Sequence, residues 1–460
     1  MTAPSRSAQS TLPKKTIARY AIGSIGTGGF GTLPGLVLVY YLTDTLGVAA
    51  LLAGVLVTAA KIWDVIIDPI LGAQSDRSLA HTGSRRRFMV IGAVTLPVFF
   101  ALTFAVPAGL DPVVSGVWVL LAFILTATSF SLFQVPYIAL PAELTSSYDD
   151  RTRLLTWRVV VLTFAILLFG AGGPELRALG GGEHLGYLLM AVVAGLVIGA
   201  GMYVSSSVAP RGVDLAGPAP KVSIAENYRS GIRALQRSQP FRALLLTFVL
   251  QGLATGLMLA GAQYVATWVL DSERAVTLLF VALIAPALLA APVWGLIARG
   301  IGKERAFMFA SILFGLAALS LTGMLWEPGA WVYVPVAVAG AAYAGMQSLP
   351  MAMLPDVISH DARSAGEGKA GAFSGVWTAG ETAGMALGAT VLTIVLALTG
   401  YAESVAGVDI EQTPRAVAGI VLSFSVVPAA IIAVSLVSLS RYGLRRAFIE
   451  QPAAEETQDA

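Results

Sequence analysis

Cysteine is absent from this chain, which removes disulfides, thiolate metal sites and cysteine nucleophiles from consideration. Histidine is nearly absent: His81, His184 and His360 are the only three, and all fall in segments that read as loops, which disfavours a histidine metal site inside an apolar region. Charge is scarce as well. Asp, Glu, Lys and Arg make up 12% of the 460 residues, against about 25% in a soluble domain. A net charge of +2 implies no nucleic-acid partner. No phosphate-binding Gly-x-x-x-x-Gly-Lys-Ser/Thr loop occurs, so ATP-driven transport would need another subunit.

What fills the chain instead is apolar. Hydrophobic residues reach 56% and the mean hydropathy is +0.77. So few charges cannot cover a soluble fold, and the chain reads as a polytopic membrane protein. With about 20 apolar residues needed per crossing, the runs predict twelve spans near 20–43, 47–72, 88–107, 113–140, 154–174, 185–208, 242–269, 276–298, 305–326, 331–354, 370–399 and 413–440. No short alternating segments point to a β-barrel. The first apolar run is too long for a signal-peptide core and lacks a small-residue cleavage site, so it reads as a retained span.

The basic residues orient these spans. With both termini inside, 24 of the 29 Lys and Arg fall in inner segments and three (Arg177, Arg274, Arg415) in outer ones. By the positive-inside rule both termini are cytoplasmic, in a cell inner (plasma) membrane.

The chain also repeats itself. Residues 1–208 and 242–446 each hold six spans. Between them, 209–241 is polar and carries an amphipathic segment with Ile224, Tyr228, Ile232 and Leu235 on one face, read as a helix on the cytoplasmic leaflet. Residues 447–460 read as a disordered tail. Leu140-Pro141-Ala142-Glu143 after the fourth span is echoed by Leu354-Pro355-Asp356 after the tenth. The basic loop Asp76-Arg77…Arg85-Arg86-Arg87 after the second is echoed by Arg299, Lys303 and Arg305 after the eighth. Such repeats mark a transporter with two rocking bundles. Asp76, Arg77, Asp356 and Lys61 are the candidate gating residues.

Ionisable groups inside spans are expensive, so each is a functional candidate. Lys61, Asp64 and Asp68 lie three and four apart on the second span, on one helical face. Two carboxylates there can hold a desolvated monovalent cation through oxygen ligands, or one of them can carry a proton. A structural Lys61–Asp64 ion pair is the plainer alternative. Arg158 in the fifth span either snorkels to the interface or faces the cavity. Glu381, near mid-depth in the eleventh, is a candidate proton or substrate site. Ser131 and Gln134 in the fourth span offer polar groups one turn apart, which also glue helices together. The glycine-rich Gly23–Gly31 run lacks the strand and helix of a dinucleotide loop, and is read as close packing or a break lining a cavity.

At Lys61–Pro69, with its Trp-Asp…Asp-Pro core, the chain resembles the glycoside–pentoside–hexuronide:cation symporters, the melibiose-permease-like members of the major facilitator superfamily. The basic loop and Met353-Leu354-Pro355-Asp356 are similar too, and the resemblance runs from about residue 17 to 445. It implies an all-α fold of twelve helices in two six-helix bundles, alternating access, and symport of a small solute such as a sugar with Na⁺ or H⁺ as the coupling ion. No enzyme activity, other cofactor or obligate protein partner is implied, and membrane lipid is the surrounding. The resemblance maps the cation site to Asp64 and Asp68 with Ser131 and Gln134, and the sugar-contacting arginine to Arg158. Several positions depart from the family pattern. Thr27 and Gly28 replace a Lys-Asp pair, Gln134 replaces an acid, Ile67 an asparagine, and Glu381 a lysine. The substrate residues are then Thr27, Gly28, Gln134, Arg158 and Glu381. An exporter or carrier of an amphipathic, acidic or lipid-like compound is the alternative reading.

Overall fold

The structure is a computed structural model that describes residues 12–145, 147–181, 184–210, 232–233, 235–272, 274–365, 370–408 and 410–444. Twelve helical segments in it are long and apolar enough to cross a membrane. They are Lys14–Thr45, Ala50–Leu79, Arg86–Thr103, Pro112–Pro141, Arg153–Leu179, His184–Ser206, Gln239–Trp268, Ala275–Ile301, Lys303–Leu325, Ala330–Asp361, Gly375–Thr399 and Pro414–Leu439, the first to twelfth spans below. Among the described residues no strand occurs beyond one isolated bridge, Leu46 with Val405. Large apolar side chains point outward, with Leu289 78% and Phe164 61% exposed, which only a lipid surround accommodates.

Several helices outrun the membrane. The helix holding the second span covers 33 residues, Ala50–Thr82, or about 50 Å at 1.5 Å per residue, against a hydrocarbon core of about 30 Å. This corrects the reading of the histidines. His81 lies in that helix, His184 begins the helix of the sixth span, and His360 lies in Tyr333–Ala365. All three occupy helix, close to its ends. The amphipathic segment from Ile224 lies mainly outside the described residues, as does the tail 447–460.

The chain divides into two compact units. One comprises Met1–Pro34 with Trp63–Pro220, the other Gly35–Ile62 with Lys221–Ala460. Within the second, the end of the first span is tied to the segment after the eleventh by backbone bonds from Ser404 to Thr43 and from Ala406 to Thr45.

Close helix contact in each unit depends on glycine. In the first, a Cβ on Gly28 would stand 2.7 Å from the Ala165 methyl and 2.9 Å from the Leu162 carbonyl, so the first span touches the backbone of the fifth. In the second, Gly384 would bring a Cβ within 2.5 Å of the Val249 carbonyl, and Gly388 within 2.3 Å of the Leu257 nitrogen. These lie four residues apart on the eleventh span, the small-residue spacing that lets membrane helices approach. Polar pairs add to this glue: Gln251 of the seventh span donates to Ser311 at 2.8 Å and to Ser435 at 3.3 Å.

Candidate functional site

In the first unit the candidate residues of the first, fourth and fifth spans form a connected polar patch. Thr27 donates to Gln134 Oε1 at 2.8 Å. One turn along each helix, Ser24 and the Tyr137 hydroxyl lie 3.0 Å apart, and Tyr137 donates to the Tyr20 carbonyl at 3.0 Å. That carbonyl also accepts from the Gly23 amide at 3.0 Å, where the first helix is interrupted after Ile22 and restarts at Ser24. The Tyr20 and Tyr137 rings stack at 4.7 Å.

The Arg158 guanidinium sits over the Tyr137 ring, 5.4 Å from its centroid, a cation–π arrangement that steadies a charge out of water. Its Nε is buried and meets no hydrogen-bond acceptor among the described residues. Buried donors are nearly always paired, so such a group marks strain or a missing ligand. The structure thus brings Thr27, Gln134 and Arg158 into one region. Gly28 is placed differently, against the fifth-span backbone, where its lack of a side chain serves packing.

The second span, which carries Asp64 and Asp68, packs on the fourth within the same unit. The Trp63 indole donates to Thr128 at 2.9 Å, and Gly72 faces Val135. Both spans run in the same direction. Asp64 and Asp68, between Trp63 and Gly72, are therefore level with Ser131, between Thr128 and Val135. Ser131 is buried. Carboxylates and a hydroxyl at one level are oxygen donors, the kind that suits a hard cation or a proton. Lys61 precedes them by one turn, on the part of the helix that belongs to the second unit.

In the second unit Glu381 is half-buried on the eleventh span and makes no ion pair among the described residues. Its charge reaches Tyr343 of the tenth span, and the Tyr343 hydroxyl accepts from Gln347 at 2.6 Å.

The candidate gating loops are joined by ion pairs inside each unit. Arg85 Nε donates to Glu143 at 2.6 Å and Arg85 also donates to Ser75 at 2.7 Å. Lys303 reaches Asp356 at 2.6 Å and the Ala352 carbonyl at 3.0 Å. Arg77 is exposed, and the Asp76 side chain lies outside the described residues.

Sequence reasoning passed over Asp44. It lies one residue beyond the apolar run read as the first span, yet it is 8% exposed and enclosed by Thr43, Trp268 and Tyr401. The signal available was the aromatic enrichment at the outer ends of the seventh and eleventh spans, which names no partner.

The chain matches the family model described as MFS/sugar transport protein over residues 19–446. It is 24% identical to the glucuronide carrier protein homolog of Escherichia coli, with 94% of this chain and 93% of that one covered. It is 24% identical to a putative glycoside/cation symporter of Escherichia coli, with 95% and 94% covered. Among solved structures, the nucleoside transporter NupG superposes with a TM-score of 0.62 at 13% identity, covering 95% of this chain and 99% of that one. This is the major facilitator fold.

Proposed function

The chain belongs to the MFS/sugar transport protein family, and within it we propose that it acts as a secondary symporter, taking up a small oxygen-rich solute, such as a sugar or glycoside, with Na⁺ or H⁺. That it is a multi-pass membrane transporter follows from the family and from its twelve spans. The solute and the coupling ion are the proposed part.

The observation that carries the solute reading is Arg158. A buried guanidinium nitrogen without an acceptor, held by Tyr137 beside the Thr27–Gln134 pair, is a donor waiting for an oxygen. Solute hydroxyls can exchange with the Thr27–Gln134 bond, and a carboxylate on the solute would meet Arg158 with a charge-assisted bond. The carriers named for glucuronides and for glycosides with cations fit both possibilities. Glu381, with Tyr343 and Gln347 beside it, is the candidate substrate residue of the second unit.

Asp64 and Asp68 take the coupling ion, with Ser131 and Gln134 assisting. An ion bound there neutralises charge that is costly inside the membrane, so the loaded and empty carriers differ in which conformations they populate. The moving bodies are the six-span halves 1–208 and 242–446 linked by 209–241, with cytoplasmic termini in the inner membrane.

The test is solute-driven current or concentrative uptake in proteoliposomes with a panel of sugars, glycosides and glucuronides. The reading expects accumulation that requires a Na⁺ or H⁺ gradient and an Arg158→Ala variant that folds but shows a strongly raised KM. Uptake of lipid-like solutes alone would favour the amphipathic-carrier alternative.

A further inference from the structure

Asp44 closes the first span in a single π-helical turn, Tyr41–Thr45, which Leu46 completes by bonding back to the Tyr41 carbonyl at 3.1 Å. The wider turn carries Asp44 inward. Its Oδ1 accepts from the Tyr401 hydroxyl at 2.5 Å and from the Trp268 indole at 3.3 Å. Its Oδ2 accepts from Thr43 at 2.5 Å, and the Tyr264 hydroxyl stands 2.6 Å behind Thr43. Thr43 also reaches the Val39 and Tyr40 carbonyls at 3.2 and 3.4 Å, and either hydroxyl of the Thr43–Tyr264 pair can be the donor.

Every donor on this carboxylate is neutral. Among the described residues no Lys, Arg or His faces Asp44; the titratable groups around it are Tyr401 and Glu403 from the segment after the eleventh span, with Tyr264 and Tyr40 on the Thr43 side. Glu403 is a second carboxylate, engaged with the Ala50 amide at 2.8 Å. Burial, and then the Asp44 charge beside it, push the Tyr401 phenol far above its ordinary range, so Tyr401 stays a donor.

A strap docks on the same turn, tied to the carboxylate through Tyr401 and to the backbone beside it. Residues 401–406 lie along 43–46: Ser404 and Ala406 amides bond the Thr43 and Thr45 carbonyls at 3.0 and 3.1 Å, and Ser404 Oγ bonds the Asp44 carbonyl at 3.0 Å. By connectivity, the ends of the first, seventh and eleventh spans lie on the membrane side opposite the termini, the outer side in the orientation above.

We infer that Asp44 is a proton-binding site facing the outer solution, whose ionised form fastens the 401–406 strap and whose protonated form releases it. A buried carboxylate without a counter-cation has two ways to meet its desolvation: collect donors, or take a proton. The donors here all serve the ionised form. When a proton from the outer solution binds, one carboxylate oxygen becomes a hydroxyl donor. A proton on Oδ2 only turns the Thr43 bond round, since Thr43 can then donate to the Val39 carbonyl at 3.2 Å; a proton on Oδ1 removes the acceptor that holds Tyr401, and with it the strap. The site itself stands independently of the symporter reading; its use in proton coupling rests on that reading.

The experiment is hydrogen–deuterium exchange on the full chain in nanodiscs between pH 5 and 8, corrected for intrinsic exchange, read at the peptide covering 401–412. Bonds to a charged carboxylate are strong enough that protection should fall at least about tenfold on acidification, with a one-proton midpoint. Asp44→Asn should remove the pH dependence. Should that variant not fold, Tyr401→Phe decides: losing one donor to the ionised form moves the midpoint to higher pH. A wild-type strap indifferent to pH, an Asp44→Asn strap that still titrates, or an unmoved midpoint in Tyr401→Phe overturns the proposal. If the strap titrates but no solute gives current, the symporter reading falls and the proton site stands. Solute currents with a strap that does not titrate have the reverse meaning.

Discussion

Arg85 donates its Nε hydrogen to Glu143 at 2.6 Å, joining the loop after the second span to the end of the fourth. Lys303 and Asp356, at 2.6 Å, make the same connection between the eighth-to-ninth turn and the end of the tenth. The two pairs occupy matching places in the sequence repeat. Arg85 and Glu143 are only 12% and 15% exposed, whereas Lys303 is 42% exposed. Leaving a mostly buried charge unpaired costs about 1–3 kcal/mol; an exposed pair costs less. Glu143→Gln should therefore lower thermal stability more than Asp356→Asn. Melting of the purified variants checks this, and the reversed pair Arg85→Glu with Glu143→Arg should recover part of the loss.

Gly384 predicts a packing penalty. A methyl there would meet the Val249 carbonyl at 2.5 Å, and backbone cannot move aside cheaply. Gly384→Ala should destabilise by about 1–3 kcal/mol, the usual cost of overpacking, while Gly375→Ala, where nothing lies within 4 Å, should be neutral. Thermal melts in one detergent compare the two.

Thr27 and Gln134 predict a kinetic split. Their 2.8 Å bond lies between spans but is one of several polar links there. Thr27→Val and Gln134→Ala should leave the melting temperature nearly unchanged. Each should raise KM for the solute about tenfold, the worth of one good hydrogen bond. A fall in stability with KM unchanged would make the pair structural glue.

The sequence shows much of this fold and part of its site. Twelve apolar runs are local signals, and the structure has twelve spans at those places. The repeated Pro-acid corners at Pro141–Glu143 and Pro355–Asp356 were legible for the same reason. The helical placement of His81 and His360 was not, because hydropathy reports where the membrane ends and helices continue into water. Asp44 escaped for another reason. Its burial comes from Tyr401, 357 residues away, and from Trp268, 224 away. No window of sequence contains that cage. Arg158 was visible as a charge in a span, but only the structure puts it over Tyr137.

Cation coupling through the second span is the central claim, and Asp64→Asn tests it most directly. The measurement is solute-induced current on proteoliposomes under imposed Na⁺ and H⁺ gradients, with solute binding measured on the same preparation. The expected variant folds and binds solute, yet carries no current and accumulates nothing. Undiminished concentrative uptake in Asp64→Asn would contradict the claim.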